Sequence, residues 1–123
     1  MKINYIIATY NDKGKRYHKK PLPENVLRCH LKQLLKYKHN LSQITIMKAK
    51  SPEYYKNYYN IQDIIIKFNI PVIQIECQNF GYSMGQWLKA YEIYKDDFDY
   101  YVFMEDDWCP NMNNFDNIIF KIY

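Results

Sequence analysis

The sequence predicts an α/β fold, with a parallel sheet and helices on both of its faces. Three observations lead there. Short apolar runs read as strands, segments with apolar residues at helical spacing follow them, and the two kinds alternate from the N-terminus onward. At 123 residues the chain is one domain, long enough to bury about two-thirds of the surface its unfolded form exposes.

Ile3 to Thr9 is the first strand, uninterrupted enough to sit centrally in a parallel sheet. A polar basic loop follows, Asn11 to Lys20. Pro23 suits a first helical turn, and Val26, Leu27, Leu31, Leu34 and Leu35 then recur at helical spacing, so a helix spans 23–38. Gln43 to Met47 is a second strand carrying β-branched Ile44, Thr45 and Ile46. Ser51-Pro52-Glu53 is a helix start, with a capping serine, a first-turn proline and an acid facing the positive end of the dipole. That helix is expected to reach Phe68, with Tyr58, Ile61, Ile65 and Phe68 on one stripe.

Pro71 to Glu76 is the third strand and Asn79 to Ser83 a glycine-bearing loop. The third helix is expected over 84–95, burying Trp87, Leu88 and Tyr91. Tyr100 to Met104 is the fourth strand, and Phe115 to Ile122 reads as a final short helix. Right-handed crossovers between such strands make the arrangement Rossmann-like. In such sheets ligands bind beyond the carboxyl ends of the strands. That rule points to Thr9–Asp12, Lys48–Ser51, Cys77–Ser83 and Glu105–Asp107.

Composition excludes several classes. The hydrophobic share is 48% and the charged share 24%, ordinary for a globular domain. A net charge of +4 does not by itself call for nucleic acid. The basic loop holding Lys13, Lys15, Arg16, Lys19 and Lys20 reads as solvated. Cys29, Cys77 and Cys109 are widely spaced and odd in number, which fits free thiols in a reducing compartment. No apolar run reaches the ~20 residues of a membrane span, and no secretory leader is evident. The expected location is cytoplasmic. The Lys-, Ile-, Asn- and Tyr-rich composition suits an AT-rich genome, so a virus or parasite working in host cytoplasm is included.

Glu105-Asp106-Asp107 directly follows an apolar strand. Adjacent carboxylates repel, and bringing them together in a cleft is costly unless a cation resolves the charge. Oxygen ligands suit Mg²⁺ or Mn²⁺, which keep water and phosphate as their remaining ligands. A solvated acidic turn is the alternative. Asn79-x-Gly81-x-Ser83 lies between a strand and a helix, where Gly81 permits positive φ and close approach, and Ser83 is placed to cap. A plain turn with a cap explains it equally. Thr9, Tyr10 and Asn11 end the first strand with groups suited to a base or ribose, or simply form a polar strand exit.

Taken together and in this order, the motifs resemble the family-2-type glycosyltransferases of the GT-A fold. The resemblance covers nearly the whole chain and rests on short motifs. It implies a nucleoside role for Thr9, Tyr10 and Asn11, and a loop over the nucleotide at Asn79 and Gly81. It also implies an Asp-x-Asp-type site at Glu105, Asp106 and Asp107, with Glu105 and Asp107 on the metal. Gln86 stands where the family often carries an arginine in the third helix. Lys48 to Ser51 lacks the acid that the family usually has after the second strand.

The implied ligands are Mn²⁺ or Mg²⁺ and a nucleotide-diphosphate sugar, foremost a UDP-sugar, with a glycan or protein acceptor. The family's acceptor-binding half and catalytic base lie beyond the acidic motif, where this sequence continues only from Trp108 to Tyr123. No base is assigned; Asp12 and Asp116 are the available acids. A non-catalytic nucleotide-binding subunit, self-associating or needing a partner, is the second reading. A phosphoacceptor of the receiver kind would place paired acids after the first strand, where this chain has only Asp12.

Overall fold

A computed structural model describes residues 1–10, 26–49, 60–78 and 82–117. The helix start at 51–53, the tyrosines 54–59, Asn11, Asp12, Asn79, Gly81 and residues 118–123 lie outside the described residues. The described elements are β1 (Ile3–Tyr10), α1 (Val26–Lys36), β2 (Gln43–Ala49), α2 (Gln62–Ile65), β3 (Val72–Cys77), α3 (Tyr82–Tyr94) and β4 (Tyr100–Glu105). The strands form one parallel sheet in the order β3-β2-β1-β4. The expected α/β class and strand-helix alternation are therefore observed.

β1 is central and buried on both faces, as its unbroken apolar run predicts. Alternation along it divides the core in two. Ile3, Tyr5 and Ile7 point to one side and pack with Leu27, Leu31 and Leu34 of α1, Ile44 and Ile46 of β2, and Ile61 and Ile64 at α2. Ile6 points to the other side, where Met47, Ala90, Trp87, Ile75 and Tyr101 gather under α3. Helices therefore cover both faces. Asn4 and Thr45 in this buried layer bond to each other, while Asn4 Nδ2 is left without a hydrogen-bond partner. Asn4 Oδ1 accepts from the Thr45 hydroxyl at 2.8 Å, and Thr45 Oγ1 accepts from Gln43 Nε2 at 3.0 Å.

One expected face differs. The buried stripe of α3 is Gln86 and Ala90, one turn apart, and not Leu88 and Tyr91. Leu88 is 55% exposed. The helix lies closest to the sheet through small or compact side chains, and Trp87 anchors it by donating its indole N–H to the Met104 carbonyl at 3.1 Å. His30 of α1 is fully buried. It shares the stripe of Leu27, Leu31 and Leu34 at spacings of three and four, so the helix turns it into the core.

α2 is a short helix of four residues within the segment expected to be helical to Phe68. Arg28 holds it to α1. Its guanidinium donates to both carboxylate oxygens of Asp63 at 3.0 Å and to the Asn60 carbonyl at 3.0 Å. Past β4, Asn114 adopts φ of 56°, a region asparagine tolerates, and its N–H donates to the Lys38 carbonyl at 2.7 Å. No helix among the described residues is long and apolar enough to cross a membrane.

Candidate functional site

The strand order reverses direction at β1: β2 and β3 lie to one side and β4 to the other. In open α/β sheets this is where a crevice forms beyond the carboxyl ends of the strands. The acidic turn lies beside it. Glu105 is aligned with Ala8 in the β1–β4 ladder. The ladder continues one residue further, since the Asp106 N–H donates to the Ala8 carbonyl at 3.1 Å. The Trp108 N–H then donates to the Glu105 carbonyl at 3.2 Å and closes the turn.

The three carboxylates part company there. Asp106 is 1% exposed, and its Oδ2 accepts from the Thr9 hydroxyl at 2.9 Å. Glu105 is half-buried, and its Oε1 accepts from the Ser83 hydroxyl of α3 at 3.0 Å. Asp107 is exposed. The middle acid therefore joins the turn to the exit of β1, while the flanking acids occupy the rim.

Of the residues picked out in sequence, Thr9, Gln86, Ser83, Glu105 and Asp106 come together through these bonds. Gln86, 3% exposed, donates from Nε2 to the Thr9 carbonyl at 3.4 Å. That carbonyl can only accept, which fixes the amide orientation and leaves Oε1 as an acceptor without a hydrogen bond. Tyr10 is the last residue of β1 and half-buried. Asp116 is placed elsewhere. It is buried, and its Oδ2 accepts from the Asn40 N–H at 2.6 Å at the entry to β2, the opposite end of the sheet from the strand exits.

Sequence reasoning missed the support beneath the turn. His30 Nδ1 lies 3.1 Å from the Asp106 carbonyl oxygen, and Nε2 lies 2.7 Å from the Tyr5 hydroxyl. A carbonyl only accepts, so Nδ1 carries the proton and donates to it. Nε2 is then bare and accepts from Tyr5. Burial reinforces this neutral tautomer. It lowers the imidazole pKa to about 4, against the smaller opposing effect of the hydrogen bond to Asp106, and it pushes the Tyr5 hydroxyl well above its ordinary range. The signal available in the sequence was the place of His30 within the leucine stripe of α1.

A cavity of about 270 Å³ opens beside Glu105, lined also by Trp87, Phe103, Met104 and Trp108. Trp87 and Phe103 pack with ring centroids 5.7 Å apart and planes tilted by 33°. Among the described residues that line it, Trp87, Phe103 and Trp108 are aromatic and Glu105 is the charged one.

Among the described residues no group of three or more His, Cys, Asp or Glu side chains is arranged to hold a metal ion. A closed all-protein cage is thus not what this turn offers. Glu105 and Asp107 are two carboxylates outside the core, the donor type that Mg²⁺ and Mn²⁺ take alongside phosphate and water. Cys29, Cys77 and Cys109 are not joined in disulfides. Compared with protein-family models, with curated proteins and with solved structures, the chain gives no significant match.

Proposed function

We propose that the chain is the donor-binding half of a metal-dependent glycosyltransferase of the GT-A type, taking a nucleotide-diphosphate sugar at the carboxyl ends of β1 and β4. The observation that carries this reading is the Thr9–Asp106 hydrogen bond of 2.9 Å. It joins the strand exit suited to a nucleoside and the acidic turn suited to a diphosphate into one crevice, where the strand order reverses.

Glu105 and Asp107 would hold Mn²⁺ or Mg²⁺, which supplies charge neutralisation for a departing diphosphate. The chain's own groups bind and orient. Tyr10, half-buried at the end of β1, is open to the nucleoside side, and Thr9 and Gln86 lie buried beneath it and support the strand exit. Asp106 keeps the turn against β1. Replacing Asp107 with Ala tests the assignment. Mn²⁺-dependent binding of UDP-glucose, measured by calorimetry, is lost in the variant; binding equal to that of the wild type removes Asp107 from the site.

A second reading has its own support. Met84, Leu88, Phe103 and Trp108 expose large apolar side chains on the α3 and β4 side, with Trp108 68% exposed. Such a patch favours a nucleotide-binding subunit that works with a partner or a second copy. Light scattering distinguishes them: a monomer at high concentration removes self-association.

A further inference from the structure

We propose that His30, backed by Tyr5, is a positioning residue that fixes the acidic turn and so presents Glu105 and Asp107 at its rim. Three tethers hold Asp106. Its N–H donates to the Ala8 carbonyl at 3.1 Å, and its carboxylate accepts from Thr9 at 2.9 Å. Its carbonyl accepts from His30 at 3.1 Å. The first two come from β1 and hold one edge of the residue. The third comes from α1 and holds the carbonyl of the peptide that follows. The Asp106 carbonyl begins the peptide that carries the N–H of Asp107, so the direction of Asp107 is set by this contact.

His30 suits the task better than an aliphatic residue on the same stripe. Its ring reaches Asp106 with a donor and Tyr5 with an acceptor at once, both satisfied and both buried. Tyr5 in turn stands on β1, with its ring 5.6 Å from that of His30 and at 81° to it. The chain Tyr5–His30–Asp106 therefore runs from the central strand through α1 to the turn. Groups that orient a metal's ligands from behind typically matter about 10- to 100-fold in metal affinity.

The effect on ligand binding rests on the nucleotide-sugar reading, whereas the fixing of the turn does not, and the experiment separates them. Amide hydrogen exchange by NMR is compared in the wild type, His30→Leu and His30→Gln, and Mn²⁺ alone is titrated into each. In His30→Leu the amides of Asp106 and Trp108 exchange about tenfold faster or more, as expected of a locally released segment. The Tyr100 amide, bonded to the Lys2 carbonyl at the other end of β4, changes little. The Kd for Mn²⁺ rises about tenfold. His30→Gln, which keeps a donor and an acceptor, recovers most of both.

Unchanged exchange at Asp106 and Trp108 overturns the proposal. So does equal acceleration across all sheet amides, which marks a general loss of packing, and so does a released turn with undiminished Mn²⁺ affinity. If His30→Leu does not fold, Tyr5→Phe, which removes only the hydroxyl, gives the same test in milder form. A wild type that binds no Mn²⁺ overturns the metal site of the proposed function, and the exchange rates alone then decide the positioning role.

Discussion

The hydroxyl of Thr9 donates to Oδ2 of Asp106 at 2.9 Å, linking the last turn-ward residues of the first strand to the acid that follows the fourth. The two are far apart in sequence and both 1% exposed. This bond decides which acids face outward: with Asp106 held to β1, the rim is left to Glu105 and Asp107. Thr9→Val keeps the shape of the side chain and removes the donor. A hydrogen bond to a charged group contributes about 1.5–3 kcal/mol, and the variant is expected to lose that much stability in urea denaturation. A loss below about 0.5 kcal/mol, the scale of ordinary surface changes, contradicts a buried pair.

His30 makes stability depend on pH. Its folded-state pKa of about 4 lies below the unfolded value of 6.5. Between these values the unfolded chain holds the proton and the native one does not, so stability rises with pH through that window. The contribution is complete above about pH 6.5 and is lost as pH falls toward 4, on the order of 3 kcal/mol over the interval. Urea midpoints of the wild type and His30→Gln, taken from pH 7 to pH 4, should converge as the pH falls. Parallel curves contradict a neutral buried imidazole.

Asp63 behaves in the same sense, in a lower pH window and more weakly. The Arg28 guanidinium, hydrogen-bonded to both its oxygens, holds the carboxyl below its ordinary value. The contribution is present above the unfolded pKa and is lost as pH falls through the folded one. The pair is exposed, so salt screens it. An NMR titration should show the Asp63 midpoint rising toward the ordinary value in Arg28→Ala, and rising in the wild type when salt is added. No movement in either case contradicts the ion pair.

The face of α3 gives a pair of opposite outcomes. Leu88→Ala removes an exposed side chain and should change stability by less than about 0.5 kcal/mol. Ala90→Leu forces extra methylenes into the contact with Ile6 and Met47 and should cost about 1–3 kcal/mol. A large loss in the first with none in the second would restore the helix face expected from sequence.

The strands were legible in the sequence because each is a short apolar run, and β1, buried on both faces, is the least ambiguous of them. The acidic turn was legible as a position, since it follows such a run. Its internal geometry was not, because the outward and inward acids are separated by a hydrogen bond to a residue close in space and remote in sequence. The same holds for His30: its chemistry depends on Tyr5 and Asp106, and only its spacing within the leucine stripe was visible. The α3 face was misjudged for a different reason. Periodicity counts large apolar side chains as buried, and here the helix approaches the sheet through Ala90 and Gln86 while Leu88 and Met84 remain outside. The side toward β4 is thus unusually apolar for a surface, which no count of residues discloses.

The most direct measurement is calorimetric titration of UDP, GDP and UDP-glucose into the protein, with Mn²⁺ present and then with EDTA. Binding that appears with Mn²⁺ and disappears with EDTA, for one base over the other, is the expected result and identifies the nucleotide. Absence of binding for all three, in either condition, contradicts a nucleotide-sugar site at the ends of β1 and β4 and leaves Glu105-Asp106-Asp107 as an acidic turn held to the fold by Thr9 and His30.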